Sequence, residues 1–309
     1  MSATMNSGSY RPLLRPMDLG EVLDHSFKLY RHAWKPLLTV GLVSALPTIL
    51  LQGVFRSLTA MDFKNPTGGW FAQAAMKADR GDFGDMAMLI VLMSGAGFLF
   101  MLLYPLVQGA FLAVCSSTYM GQPITAADAF RAAGRRYLPL LGTAFIVGLM
   151  VFVSIPLAVI AGLVIFSPFT IIAAVAALSA YTAFTRHAIL LEGAGGGIGA
   201  IKRSFKLVAG RFWPLLGMGI IFAMLVGFTG GLVNMLVAMP VTILSIVSGP
   251  NAALNWLVAV VTGLSTAVTA PFMMAGLTLA YYDTRIRKEG YDLELMAQSQ
   301  MTPPSQQPL

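Results

Sequence analysis

Three long uncharged stretches separate short charged segments along the chain. No Asp, Glu, Lys or Arg occurs within 86–127, 137–185 or 212–282. A helix that crosses a bilayer needs about 20 predominantly apolar residues, so these stretches can hold several crossings. The pattern predicts an all-α membrane protein with six transmembrane helices. The predicted spans are 37–55, 86–115, 139–165, 169–190, 213–246 and 254–282.

Composition supports a lipid environment. Hydrophobic residues make up 57% of the 309 residues and charged residues only 11%, whereas soluble domains carry about 25% charged residues. The first apolar run begins near Leu37, too late for a cleavable signal peptide, so we interpret the first span as an uncleaved anchor. The single cysteine, Cys115, is interpreted as a small apolar packing residue.

The distribution of basic residues predicts the orientation. With six spans, sixteen of the twenty Lys and Arg residues fall on one side, and cytoplasmic segments accumulate Lys and Arg. We therefore expect both termini in the cytoplasm. One membrane domain is predicted over 16–294, between disordered cytoplasmic segments 1–15 and 295–309. The only sizeable extracytoplasmic segment is the loop 56–85.

A twelve-residue motif occurs three times: Phe, then Lys or Arg, five residues, an aromatic residue, one residue, and Pro-Leu-Leu. Each copy opens a long apolar stretch, which predicts three parallel two-helix repeats over about 16–121, 122–192 and 193–294. The motif residues are Phe27, Lys28, Trp34 and Pro36; Phe130, Arg131, Tyr137 and Pro139; and Phe205, Lys206, Phe212 and Pro214.

Each motif is interpreted as an elbow at the membrane interface. Asp18 and Glu21 have the spacing of a capping box before an amphipathic segment, and a basic amphipathic helix of this kind lies in the interface. The proline disfavours helical geometry in the residue before it and suits the start of a new helix. The basic residues have two interpretations: recognition of anionic lipid head groups, or ordinary orientation charge with aromatic anchoring.

The chain shows no pattern of catalytic, cofactor-binding or metal-ligating residues. Apart from Arg186 and His187 near the end of the fourth span, no Asp, Glu, Lys, Arg or His falls inside a predicted span, although ion-coupled pumps usually keep one within the membrane. The glycine run from Gly193 to Gly199 lacks the context of a phosphate-binding loop and is interpreted as a flexible linker. Gly227 and Gly231 form a GxxxG pair, which indicates either close helix packing or an unwound segment that lines a cavity.

Three segments resemble a known family. They are 11–31, 191–213 and, most specifically, 281–294, which reads Tyr-Tyr-Asp-Thr-Arg-Ile-Arg-Lys-Glu-Gly-Tyr-Asp-Leu-Glu. Together they are similar to the bacterial membrane family called the glycerophosphoryl diester phosphodiesterase membrane domain, over roughly 11–294. The resemblance implies a multi-pass protein of the bacterial inner membrane and a link to glycerophosphodiester hydrolysis. Only 22 residues follow Arg287, and the motifs of the hydrolase are not found, so we do not expect that activity here.

The leading functional hypothesis is a non-enzymatic accessory or partner-binding membrane module. Its expected partners are membrane lipids, anionic ones included, and a membrane or cytoplasmic protein, with no nucleic acid and no cofactor. The charged C-terminal segment has two interpretations: it is either a docking face for such a partner or a stop-transfer flank. A permease or lipid translocator with a site near the repeat axis comes second, and an enzyme of phospholipid head groups third. The proposed docking face consists of Arg285, Arg287, Lys288, Glu289, Asp292 and Glu294.

Overall fold

The structure is a computed structural model that describes residues 15–59, 70–165, 169–248, 251–291 and 293. The regular secondary structure in these ranges is helical. The helices are α1 Leu19–His32, α2 Trp34–Thr59, α3 Trp70–Asp79, α4 Gly84–Tyr119, α5 Ala126–Arg135, α6 Tyr137–Ile165, α7 Phe169–Thr182, α8 Thr185–Leu191, α9 Ile198–Val208, α10 Phe212–Val233, the π-helical turn Asn234–Ala238, α11 Met239–Ser248 and α12 Ala252–Glu289.

Six helical segments within the described residues are long and apolar enough to cross a membrane, which confirms the predicted number of spans. The chain therefore has the helices of a multi-pass membrane protein. The six segments are Trp34–Ser57, Gly84–Tyr119, Tyr137–Ala161, Phe169–Leu191, Phe212–Leu244 and Ala252–Glu289. The predicted tails lie outside the described residues, apart from Arg15.

A short helix precedes the first, third and fifth spans: α1, α5 and α9. The helix α1 begins with the predicted capping box, because Asp18 accepts from the Glu21 N–H and the Glu21 side chain accepts from the Asp18 N–H. The chain breaks before each motif proline rather than at it. Pro36, Pro139 and Pro214 are the third residues of α2, α6 and α10, where a backbone N–H has no partner within the helix to lose.

Two elements differ from the predicted spans. The fourth span is interrupted between α7 and α8, where Ser204 of α9 fills the gap: its Oγ accepts from the Phe184 N–H at 3.1 Å and donates to the Tyr181 carbonyl at 2.7 Å. A side chain from a later helix thus satisfies backbone groups that the break exposes. The second difference is α3, which lies inside the segment predicted as a loop.

The chain forms two compact units. Unit 1 comprises Met1–Pro36, Gly109–Phe222 and Phe272–Leu309, and unit 2 comprises Leu37–Gln108 and Ala223–Pro271. Unit 1 contains α1, α5 to α9, the start of α10 and the ends of α4 and α12. Its described core has large buried aromatic and aliphatic side chains, among them Phe111, Tyr119, Phe184, Ile189 and Tyr281.

Unit 2 contains a close contact between α2 and α12 that is built on glycines. A Cβ placed on Gly41 would overlap the backbone of Ala267, one on Gly53 the Trp256 ring, and one on Gly263 the Ile49 side chain. Small residues let helices approach closely in a bilayer.

For the GxxxG pair in α10, the described residues show no close helix contact. A Cβ at Gly227 or Gly231 would meet no described atom within 4 Å. The same spacing signal therefore does not say which helix, if any, a glycine pair faces.

Candidate functional site

The aromatic residues of the three motifs occupy different surroundings. Phe27 and Trp34 are 57% and 49% exposed, as expected for side chains that meet lipid. In the third motif, Phe205 and Phe212 stack on the ring of Tyr181, with centroids 4.8 and 5.3 Å away. Phe130 and Tyr137 of the second motif are half-buried. The third motif therefore closes against α7, whereas in the first Phe27 contacts the ring of Phe272 at 4.6 Å and both aromatic residues stay about half exposed.

The basic residues of the first two motifs pair with carboxylates on their own helices. Lys28 lies 2.6 Å from Asp24, and Arg131 lies 2.9 Å from Asp128. The hydrogen bond from Lys28 lowers the pKa of the Asp24 carboxyl below its ordinary value. In the third motif, Lys206 is exposed, and its carbonyl accepts a 3.0 Å hydrogen bond from Lys288.

The first cluster of unit 1 surrounds Asp283, and we call it the Asp283 cluster: Asp283, Arg211, Arg287 and the backbone of Met17. The Asp283 side chain is 0% exposed. It accepts from the Met17 N–H at 2.8 Å, from Arg211 at 2.8 Å and from Arg287 at 3.0 and 3.1 Å. Arg287 also donates to the Met17 carbonyl at 2.7 Å. One buried carboxylate therefore joins the segment before α1, the residue before α10 and the end of α12.

The second cluster surrounds Arg203, and we call it the Arg203 cluster: Arg203, Glu192, Glu289, Arg285 and Tyr281. Arg203 donates to Glu192 at 2.5 and 3.0 Å and forms two hydrogen bonds with Glu289. Tyr281 donates to Glu192 at 2.6 Å, and Arg285 donates to Glu289 at 3.1 Å. The hydrogen bonds to Glu289 and then Glu192 raise the pKa of the Arg203 guanidinium. Charge-assisted pairs of this kind fix both position and orientation.

The described residues of the proposed docking face are engaged within the chain. Arg285 and Glu289 belong to the Arg203 cluster, and Arg287 belongs to the Asp283 cluster. Lys288 donates to the carbonyls of Lys206, in the last turn of α9, and of Ala209, its C-cap. Asp292 and Glu294 lie outside the described residues. Docking stays a prediction, but it would use side chains that also hold unit 1 together.

An aromatic group lies beside the Arg203 cluster. The His187 ring stacks on Tyr281 at 4.8 Å and contacts the edge of Phe184 at 5.7 Å. His187 is 1% exposed, and neither ring nitrogen has a hydrogen-bond partner among the described residues. Over the same part of the chain, no three His, Cys, Asp or Glu side chains gather closely enough to hold a metal ion.

The glycine run between α8 and α9 packs against α6. The Gly197 N–H donates to the Thr143 hydroxyl at 2.7 Å, and a Cβ on Gly196 would lie 2.8 Å from the Pro139 Cβ. Gly193, Gly196 and Gly197 have φ of 68°, 53° and 60°, a region that favours glycine. The interpretation as a flexible linker missed these contacts, because the partner residues lie on another helix.

Sequence reasoning did not single out Glu192, Ser204, Tyr281 or Asp283 as site residues. Asp283 follows directly on the uncharged run 212–282, and an acidic residue at the end of an apolar helix is a signal for a buried partner. No comparable signal marks Ser204, because serine is common at many kinds of position.

The chain matches the family described as Domain of unknown function (DUF7847) over residues 69–284 and belongs to this family. The match includes Glu192, Arg203, Arg211 and Asp283, and it ends before Arg285. No curated protein and no solved structure matches the chain. The resemblance to the glycerophosphoryl diester phosphodiesterase membrane domain therefore stays a prediction.

Proposed function

We propose that this protein is a non-enzymatic accessory module of the bacterial inner membrane that binds a membrane or cytoplasmic protein. The observation that carries the proposal is the internal use of charge in unit 1. Glu192, Asp283 and Glu289 each pair with arginine inside the chain, which suits a rigid platform. In this proposal the paired charges fix the helices of unit 1, and the fixed helices support the partner.

We further propose that α1, α5 and α9 lie at the cytoplasmic interface and belong to three parallel repeats. Two features support this arrangement: each of these helices precedes a span, and each has a motif proline three residues into the next helix. The exposed Phe27 and Trp34 fit the aromatic belt of a membrane. Both termini would then lie in the cytoplasm with most of the basic residues.

The resemblance to the glycerophosphoryl diester phosphodiesterase membrane domain belongs to the same proposal. It would make the chain a relative of membrane regions that accompany hydrolases, which suits an accessory role. It does not supply catalytic residues, so the proposed function stays non-enzymatic.

The partner is tested by purifying the tagged full-length chain from native membranes in mild detergent and analysing it by mass spectrometry. We expect a stoichiometric protein partner. Replacing Lys288 with Gln tests the docking face without removing an arginine from either cluster, and Lys28→Gln on α1 is the matched control. Partner recovery should fall with Lys288→Gln and not with Lys28→Gln. A lone chain that carries a small molecule would reject the proposal.

Orientation is tested separately with reporters fused to the C-terminus. A reporter that is active only in the cytoplasm should be active, and one that is active only outside should be silent. The opposite result would contradict the six-span orientation without bearing on the partner.

A permease is the second candidate, and the π-helical turn Asn234–Ala238 favours it. Such turns occur inside helices, frequently at functional sites, and this one follows Gly230 and Gly231 in the fifth span. Asn234 is a polar residue in an otherwise apolar segment. The test is the uptake of a solute into vesicles that contain the purified chain. Uptake that is lost in Asn234→Leu and kept in Thr229→Val would favour transport over the accessory role.

A further inference from the structure

The break in the fourth span has no cause in its own sequence. Ala183 and Phe184 lie between α7 and α8, with Thr182 and Thr185 on either side. None of these four residues is glycine or proline, the residues that most weaken a helix. A helix is also interrupted where a side chain inserts into its backbone hydrogen bonds. The break is therefore imposed by a residue outside α7 and α8.

Ser204 of α9 supplies the inserted side chain. In an unbroken α-helix the Phe184 N–H would donate to the Ala180 carbonyl. In the structure it donates to Ser204 Oγ at 3.1 Å, and the Ala180 carbonyl accepts from the Ala183 N–H at 3.3 Å. The Ser204 hydroxyl donates in turn to the Tyr181 carbonyl at 2.7 Å. It thus replaces hydrogen bonds that an unbroken helix makes within itself.

Aromatic contacts hold α9 in the position that this insertion needs. Phe205 directly follows Ser204 and stacks on the Tyr181 ring at 4.8 Å. Phe212, at the start of α10, stacks on the same ring at 5.3 Å. Ser204 itself is fully buried. The hydroxyl therefore reaches the break only while α9 lies against the end of α7.

The same helix α9 is attached to the proposed docking face. Arg203 directly precedes Ser204 and pairs with Glu289. Lys288 donates to two carbonyls at the end of α9 and in its cap. Consecutive residues of α9 therefore contact the end of α12 and the break in the fourth span. A partner that binds Lys288 and Glu289 competes with the contacts that these two residues make with α9.

We propose that Ser204 is a latch that keeps the fourth span broken, and that docking at Lys288 and Glu289 releases it. On release, α9 moves and the Ser204 hydroxyl leaves the break. The Phe184 N–H then donates to the Ala180 carbonyl, and Phe169–Leu191 becomes one continuous helix. An element with two discrete arrangements is the physical basis for coupling between distant sites.

The latch is tested by the distance between two spin labels in the full-length chain in mild detergent. The labels are attached at Ile172→Cys and Leu191→Cys, on either side of the break, and the buried Cys115 stays unlabelled. In Ser204→Ala the main distance should shift to that of a continuous helix, roughly 29 Å between the two Cα atoms. Ser26→Ala is the matched control and should keep the natural distance, because this buried hydroxyl donates within its own helix.

Hydrogen exchange at the Phe184 amide separates a re-formed helix from simple damage. In Ser204→Ala this amide should stay protected, because the Ala180 carbonyl replaces Ser204 as its acceptor. A break that stays open would instead leave the amide without a partner, and its exchange would become faster. Loss of protection at Phe184, or an unchanged label distance in Ser204→Ala, would overturn the latch.

The trigger rests on the proposed function and is tested without the partner. The double variant Lys288→Ala with Glu289→Ala removes both contacts with α9 and should shift the label distance in the same direction as Ser204→Ala. Lys28→Ala with Asp24→Ala removes an exposed ion pair on α1 and should leave the distance unchanged. No shift in the first double variant, or equal shifts in the two, would overturn control by the docking face. Failure to recover a partner from native membranes would count against the proposed function alone.

Discussion

The interactions inside unit 1 differ from the interactions inside unit 2. Unit 1 contains a fully buried carboxylate, Asp283, and an arginine shared by two glutamates, Arg203. In unit 2 the close contact between α2 and α12 depends on glycines such as Gly41 and Gly263. A buried ion cluster fixes specific groups in specific positions, whereas a glycine contact fixes only the distance between two helices. The difference indicates that the positions of individual polar groups are fixed more strictly in unit 1 than in unit 2.

The largest expected effect is the loss of the Asp283 carboxylate. Asp283→Ala leaves Arg211 and Arg287 without their shared acceptor and the Met17 N–H without a partner. Breaking a buried ion pair costs about 3–5 kcal/mol, so the free energy of unfolding in detergent should fall by that amount. Asp24→Ala, which removes an exposed carboxylate, should change it little. Equal effects of the two variants would contradict a special role for Asp283.

The Arg203 cluster should be the next most sensitive. Arg203→Gln leaves Glu192 and Glu289 without their common cation, and hydrogen bonds to charged groups contribute about 1.5–3 kcal/mol each. We expect a loss of about 2–3 kcal/mol in unfolding free energy. The neighbouring Lys202 is exposed, and Lys202→Gln should be close to neutral. A neutral Arg203→Gln would show that the cluster contributes nothing measurable.

Unit 2 should respond to added volume instead of lost charge. Gly41→Ala places a methyl group against the Ala267 backbone, and overpacking of this kind typically costs about 1–3 kcal/mol. Gly95→Ala is the control, because a Cβ there meets no described atom within 4 Å, and Ala favours helix by up to about 1 kcal/mol. The midpoint temperature of thermal unfolding should fall for Gly41→Ala and rise for Gly95→Ala.

The smallest effect concerns the start of α1. The hydrogen bond from Arg15 lowers the pKa of the Glu21 carboxyl below its ordinary value. The contribution of Glu21 to stability is therefore present above the ordinary carboxyl pKa of about 4.3 and is lost as the pH falls through the lower folded value. The protection of α1 against hydrogen exchange, taken relative to the intrinsic rate at each pH, should fall in acid for the natural chain, and less so for Glu21→Gln. The same acid response in Glu21→Gln as in the natural chain would show that Glu21 does not cause it.

The sequence predicted features that depend on residues near one another in the chain. The six spans follow from long uncharged runs, and the capping box follows from Asp18 and Glu21 three residues apart. These features need no knowledge of which helices meet. The break after α7 could not be predicted, because Ser204 supplies the missing hydrogen bonds from another helix.

The candidate site was less predictable for the same reason. The charges at the end of α12 read equally well as a docking face or as a flank of the last span. Their actual partners, Glu192, Arg203, Arg211 and the Met17 backbone, are far away in sequence. The glycine run likewise read as a linker until Thr143 and Pro139 were found beside it.

The central claim is that the buried charge of Asp283 holds the segment before α1 in unit 1. Hydrogen exchange read by mass spectrometry tests it most directly, with the natural chain compared with Asp283→Asn. The account predicts that the peptide containing Met17 is protected in the natural chain and exchanges much faster in the variant, while peptides around Gly53 in unit 2 keep their protection. Unchanged protection at Met17, or an equal loss in both units, would contradict it.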